Sequence, residues 1–148
     1  MNNKMITTSN IEQAKREIRS QKEKSIIVKA HDDNFNRKIL EYGKFNVLLS
    51  PEIGNRKDSI RQLDSGLNHV LAKIAVKNNI AIGIDISEIK KLTKQEKGEK
   101  LARIKQNINI CRKAKAKIKV INSEDKRNAL SFLITLGAST KQAKEAIS

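Results

Sequence analysis

His31, Asp32 and Asp33 stand in a row in "AHDDN", directly after the apolar run "SIIVKA", and Asp85 closes a second such run, "IAIGID". Imidazole and carboxylate are the ligand types that hold a catalytic divalent metal and its activated water. The sharpest catalytic reading is therefore a one-metal site built from His31, Asp32 and Asp85, as in a metal-dependent phosphoesterase. Carboxylates after strands also cap helices, which gives the same residues a purely structural use. The chain has only two histidines, and the other, His69, falls at the start of a later helix. The single cysteine, Cys111, lies on the apolar stripe of its helix, where a buried thiol is the default. One cysteine forms no intramolecular disulfide and no multi-cysteine zinc site. No G-x-S-x-G, Walker or G-x-G-x-x-G pattern occurs.

Charge points to a different chemistry. Thirty-one Lys plus Arg against 16 Asp plus Glu give a formal net charge of +15, which calls for a polyanionic partner, nucleic acid first. With 3% aromatic residues the chain lacks platforms for stacking bases, so recognition through backbone and shape is expected. The excess is uneven: residues 87–120 hold 12 Lys plus Arg and 3 Asp plus Glu. Arg56, Lys57 and Arg61 cluster beyond a strand end, and arginine suits bidentate phosphate contact. The residues expected to touch RNA or a partner are Arg56, Lys57, Arg61, Asn68, His69, Lys73, Arg103, Arg112 and Lys113. Solvated helix faces and a Lys57–Asp58 pair are the competing readings.

The elements that must position these groups follow from periodicity. Helices are expected over residues 10–22, with Ser9 and Glu12 at capping-box spacing, over a segment capped by Asp32 or Asp33 and stopped by Gly43, over 66–78, over 98–115, and twice after residue 123. Ser139 and Gln142 give the last helix a second capping-box spacing. Strands are expected over 25–30, 45–51, 80–85 and 117–122. On a helical wheel Leu67, Val70, Leu71 and Ile74 share one arc and His69 points the other way, with Ala72, Lys73 and Val76 around it. In the long helix, Leu101, Ile104, Ile108 and Cys111 form the inward stripe, leaving Arg103, Gln106, Ile110 and Lys113 outside.

Strands alternating with helices imply an α/β fold with a parallel sheet, whose loops after the strands carry function. Four strands are too few for an eight-stranded barrel and leave an edge open, to be covered by a partner protein or by the N-terminal segment. No apolar run approaches the roughly 18 residues of a spanning helix, and "MNNKMITTSN" lacks the apolar core of a signal peptide. A single cytoplasmic domain over residues 1–148 is expected, with no membrane association.

The run "NRKD" followed by "DSGLNHVLAKIAVKNNIAIGI" resembles the signature region of archaeal ribonuclease P protein component 3, the relative of the eukaryotic 30 kDa ribonuclease P/MRP subunit. "NRKILEYGKFNVLLSP", "ARIKQNINICRKAKAKIKVIN" and "NALSFLITLGASTKQAKEAIS" resemble further segments of that family in the same order, so the likeness covers roughly residues 25–148. Residues 1–24 are read as an N-terminal helix and tail. The family's Arg-Lys-Asp falls on Arg56, Lys57 and Asp58, and its Gly-x-(Asp or Asn)-His-Val-Leu falls on Gly66, Asn68, His69, Val70 and Leu71.

The resemblance implies a TIM-barrel-like fold, truncated or incomplete at the N-terminus because only one helix is read before residue 25. It implies a subunit without catalytic residues or a metal of its own. The ribonuclease P RNA uses Mg²⁺ to cut the 5′ leader from precursor tRNA, which the subunit meets indirectly. It also implies a small α/β partner subunit in a heterotetramer. "SEDKRNAL" departs from the family pattern in lacking a proline-bearing entry to its helix.

Overall fold

The computed structural model describes residues 3–22, 25–54, 56–58 and 63–148. Five strands, β1 (Asn3–Ile6), β2 (Ser25–Lys29), β3 (Val47–Leu49), β4 (Ala81–Asp85) and β5 (Ile118–Ile121), form one sheet in the order of the sequence. Every neighbouring pair is parallel, with Met5 beside Ile27, Val28 beside Leu48, Leu48 beside Ile82 and Ile84 beside Val120. The helices are α1 (Ile11–Ser20), α2 (Asp33–Tyr42), α3 (His69–Lys77), α4 (Ile86–Lys90), α5 (Lys94–Ala114), α6 (Lys126–Thr135) and α7 (Thr140–Ile147).

An order that never reverses, linked by crossovers of the usual right hand, puts the helices on one side of the sheet, as in part of a TIM-type barrel. The core has that asymmetry. Ile6, Ile26, Val28, Leu48, Ile82, Ile84 and Ile118 join the helices in one large apolar cluster, whereas Ile27, Val47 and Leu49 form a small separate one on the other face, flanked by Ala81 and Ile121.

Two elements were absent from the reading of the sequence. β1 precedes α1, so more than one helix lies before residue 25; three of its four residues are exposed, and it is a strand because of its pairing with β2 rather than through its own pattern. The N-terminal segment thus covers the β2 edge. α4 is a five-residue turn of helix between β4 and the long α5, which starts at Lys94 under a Thr93–Glu96 capping box, four residues earlier than expected.

Caps account for most other boundaries. Asp32 accepts from Phe35 N and Gly43 closes α2 with a φ of 71°. Ser139 and Gln142 form the expected reciprocal box of α7. α1 is capped by Asn10, which accepts from Gln13 N, and not by Ser9. Leu67 and Leu71 point inward as expected, but α3 departs at two positions: Ala72 is buried with Ala75, while Val70 is 55% exposed. The small alanines let α3 seat closely among its neighbours, so the larger Val70 is rotated outward.

Candidate nucleic-acid interface

The segment from β3 to α3 is tied down by a set of side chains centred on Arg56. Its guanidinium is only 7% exposed and meets Asp33 Oδ1 at 2.5 Å and Asp64 Oδ1 at 3.3 Å. It also donates to the carbonyls of His31 at 3.2 Å and Ile53 at 3.3 Å. Arginine suits this place because its planar fork serves several acceptors at once and stays charged when buried. Arg56 is therefore a latch between the loop after β2 and the loop after β3, and is not turned to solvent.

α5 supplies the second set of ties. Arg103 donates to the Arg56 carbonyl at 3.2 Å and pairs with Asp58 at 3.4 Å, while Asp58 accepts from Asp64 N at 2.8 Å. Gln106 Nε2 donates to Leu63 O and Ser65 Oγ, both at 2.9 Å, and Asn107 Nδ2 donates to Ser65 O at 3.1 Å. Arg103 and Gln106, expected on the outward face of the helix, thus face the loop. Ile110 is partly buried against the core, and Lys113 alone of that outward set is exposed. The reason is the loop itself, which lies over the flank of α5 and brings carbonyls and carboxylates to it.

Gly66 lets the loop enter α3. Its φ is +77°, and a Cβ there would stand 1.8 Å from the Pro51 carbonyl oxygen, so both conformation and space demand glycine. Asn68 then caps α3 by accepting from Leu71 N at 2.9 Å, which makes His69 the first helical residue. His69 and Lys73 are exposed, as expected. Lys57, Arg37, Asn68, Val70 and Gln106 line a groove at this end of the molecule, with Asp33 and Asp64 beside them.

The nine predicted contact residues do not form one patch. Arg56 and Arg103 are engaged by carboxylates. Lys57, Asn68, His69 and Lys73 surround the groove end of α3. Arg112 and Lys113 lie at the C-terminal end of α5, about 15 Å along that helix from Arg103 at the usual rise per residue. There Arg112 donates to Gly137 O at 3.2 Å and Lys113 is exposed. Arg61 lies outside the described residues.

The metal-ligand set does not assemble. His31 Nε2 donates to Thr7 O at 2.9 Å and its ring packs edge-on against Phe35. Asp32 is the α2 cap, and Asp85 accepts from Ser87 N and Oγ and from Asn122 Nδ2. Asp85 also ends a strand two places away from β2. Among the described residues no group of three or more His, Cys, Asp and Glu is arranged to hold a metal ion.

Three acidic residues were not singled out from the sequence in these roles. Asp33 and Asp64 complete the Arg56 latch, and the only sequence signal for either is acidity near the basic run. Glu52 is buried, with Lys100 Nζ 3.7 Å from its Oε1. Burial pushes its carboxyl pKa above the ordinary 4.5, with Lys100 working in the opposite direction. Cys111 is buried as expected, and burial pushes its thiol up to about 12.

Among the described residues no helix is long and apolar enough to cross a membrane. No family model matches the chain. It is similar to "Ribonuclease P protein component 3" of Methanococcus maripaludis strain C7, 24% identical over 110 residues that cover 73% of this chain and 44% of that protein. The protein of the same name from Methanococcus vannielii is 28% identical over 88 residues, covering 60% of this chain and 35% of that one. The chain thus spans less than half the length of these curated relatives. Among solved structures, a chain of an archaeal ribonuclease P determined by cryo-EM with mature tRNA superposes with a TM-score of 0.81 at 21% identity, over 97% of this chain and 63% of that chain. The α/β, TIM-barrel-like architecture is shared with that subunit.

Proposed function

We propose that this chain, a relative of ribonuclease P protein component 3, is a protein subunit of an archaeal ribonuclease P. In this role it binds the ribonuclease P RNA and a small α/β partner subunit, in a heterotetramer, and supports removal of the 5′ leader from precursor tRNA. The chemistry belongs to the RNA and its Mg²⁺, with the protein supplying affinity and a stable RNA fold.

The observation that carries the reading is the superposition of nearly the whole described chain on a subunit of an archaeal ribonuclease P, together with relatives that all bear one subunit's name. The charge of +15 supports it, because neutralising phosphates and releasing their counterions is the main source of affinity for RNA. Lys57 lines the groove, His69 and Lys73 are exposed on α3 beside it, and these are the contact residues of first choice there.

Filter binding tests this role. The chain should hold a transcript of the ribonuclease P RNA more tightly than an unrelated RNA of equal length, with affinity falling steeply as salt rises. Equal affinity for the two RNAs would count against the assignment.

A further inference from the structure

The two ends of the sheet differ in charge: one mixes carboxylates with Arg56, Lys57, Lys90 and Lys91, and the other is dominated by lysines. Because all five strands are parallel, every segment leaving a strand emerges at one end and every segment entering a strand lies at the other. The leaving segments hold Asp32, Asp33, Asp58, Asp64 and Asp85, and all five are already hydrogen-bonded within the fold. The entering segments carry Lys44, Lys77, Lys115 and Lys117, all exposed. In their sequence the one carboxylate is Glu23, outside the described residues. The nearby Glu41 is held by Arg37 at 3.0 Å.

A recess of about 130 Å³ opens at this basic end, between the α3–β4 and α5–β5 connections, lined by Asn46, Asn79, Lys115 and Lys117 with Val76 and Ile80 behind them. It is roomier than a single water, whose share of the liquid is about 30 Å³. The sheet fixes its walls: Ala81 N donates to Asn46 O and Ile82 N to Lys117 O, both at 2.9 Å, so the residues that lead into β3 and β5 are tied to the start of β4 from either side. Asn79 and Lys115 both have left-handed backbone, φ 57° and 63°, which reverses the chain tightly at the rim. The Asn46 side chain uses its oxygen to accept from Ile26 N at 2.8 Å, and its amide nitrogen has no partner among the described residues. Neither Lys115 nor Lys117 makes an ion pair among the described residues. Lys44, next to this recess in the β3 entry, lies over the Tyr42 ring at 5.5 Å.

We propose that this end of the sheet is a second binding site, one for the phosphodiester backbone of RNA. Lys115 and Lys117 supply charge at the recess, Asn46 and Asn79 supply neutral amide donors, and Lys44 and Lys77 extend the track to either side. The site rests on the ribonuclease P reading for its ligand, and it lies at the opposite end of the strands from the groove at Lys57 and Asn68. At the groove end, arginines are paired with carboxylates; at this end Lys115 and Lys117 make no ion pair among the described residues and can exchange counterions for phosphate.

The test compares two variants of the full chain in filter binding to a ribonuclease P RNA transcript across a salt series. One is Lys44→Asn, Lys115→Asn, Lys117→Gln, with asparagine chosen because it tolerates left-handed backbone; the other is Lys57→Ala, Lys73→Ala. All five positions are exposed, and circular dichroism checks that each variant folds. The expected result is that the first variant loses about tenfold or more in affinity at moderate salt and flattens the dependence of log K on log salt by about two to three. Unchanged affinity and slope in that variant, with a loss in the second, would overturn this site and leave the subunit reading standing. Failure of the unsubstituted chain to bind the transcript would overturn both.

Discussion

Arg56 Nη1 lies 2.5 Å from Asp33 Oδ1, a contact that spans 23 residues of sequence and locks the loop after β2 to the loop after β3. The Arg56 guanidinium is thereby engaged within the fold, and exposed cations such as Lys57 and Lys73 lie elsewhere.

Replacing Arg56 should cost stability before it affects RNA contacts. The guanidinium is buried but Asp33 is 67% exposed, so water moderates the loss, and Arg56→Ala should destabilise by about 2–3 kcal/mol. Arg56→Lys should recover little, because a point charge cannot serve two carboxylates and two carbonyls together. Urea unfolding of both variants measures this; a lysine variant as stable as the parent would contradict the latch.

Gly66→Ala and Gly98→Ala should move stability in opposite directions. At Gly66 the new methyl meets the Pro51 carbonyl in a backbone region alanine avoids, a loss of about 3 kcal/mol or more. Gly98 is inside α5 with nothing within 4 Å of an added Cβ, so alanine should add about 0.5–1 kcal/mol. Thermal unfolding of the pair gives both signs.

Glu52 should make stability fall as pH rises. Its folded pKa is raised above the ordinary 4.5, so the folded state binds its proton more tightly than the unfolded chain. The stabilisation is complete below 4.5 and is lost as pH climbs through the raised value. Glu52→Gln removes that dependence, although it also leaves Lys100 without its partner. Urea midpoints of parent and variant from pH 4 to 8 should differ by an amount that changes with pH in this sense; parallel curves would contradict it.

Cys111 should resist thiol reagents until the chain unfolds. With its thiol buried and its pKa near 12, labelling by 5,5′-dithiobis(2-nitrobenzoate) at pH 8 should be slow in buffer and complete in urea. Rapid labelling of the folded protein would show that the α5 face is open.

What could be read in the sequence was local. Asp32 and Gly43 bound α2 through contacts within one turn, and Ser139 with Gln142 starts α7 in the same way. The apolar runs that became β2, β3 and β4 are largely buried, that of β5 is half-buried, and all four announce themselves by composition. β1 does not, because "NKMI" buries only Ile6 and owes its conformation to the hydrogen bonds of β2. The same limit applies to the candidate site. No spacing reveals that Arg56 will find Asp33 and Asp64, or that Arg103 and Gln106 will be covered by a loop some 40 residues earlier. The wheel of α3 placed Leu67, Leu71 and Ile74 correctly and missed Val70 and Ala72 for a related reason: it weighs Val70 above Ala72, while close helix packing favours the smaller side chain.

Cleavage of precursor tRNA by a reconstituted enzyme tests the account most directly. The ribonuclease P RNA, the small partner subunit and this chain should together release the 5′ leader at a Mg²⁺ concentration where the RNA with the partner alone is slow. Identical rates with and without the chain, under conditions where the chain is folded, would contradict the central claim.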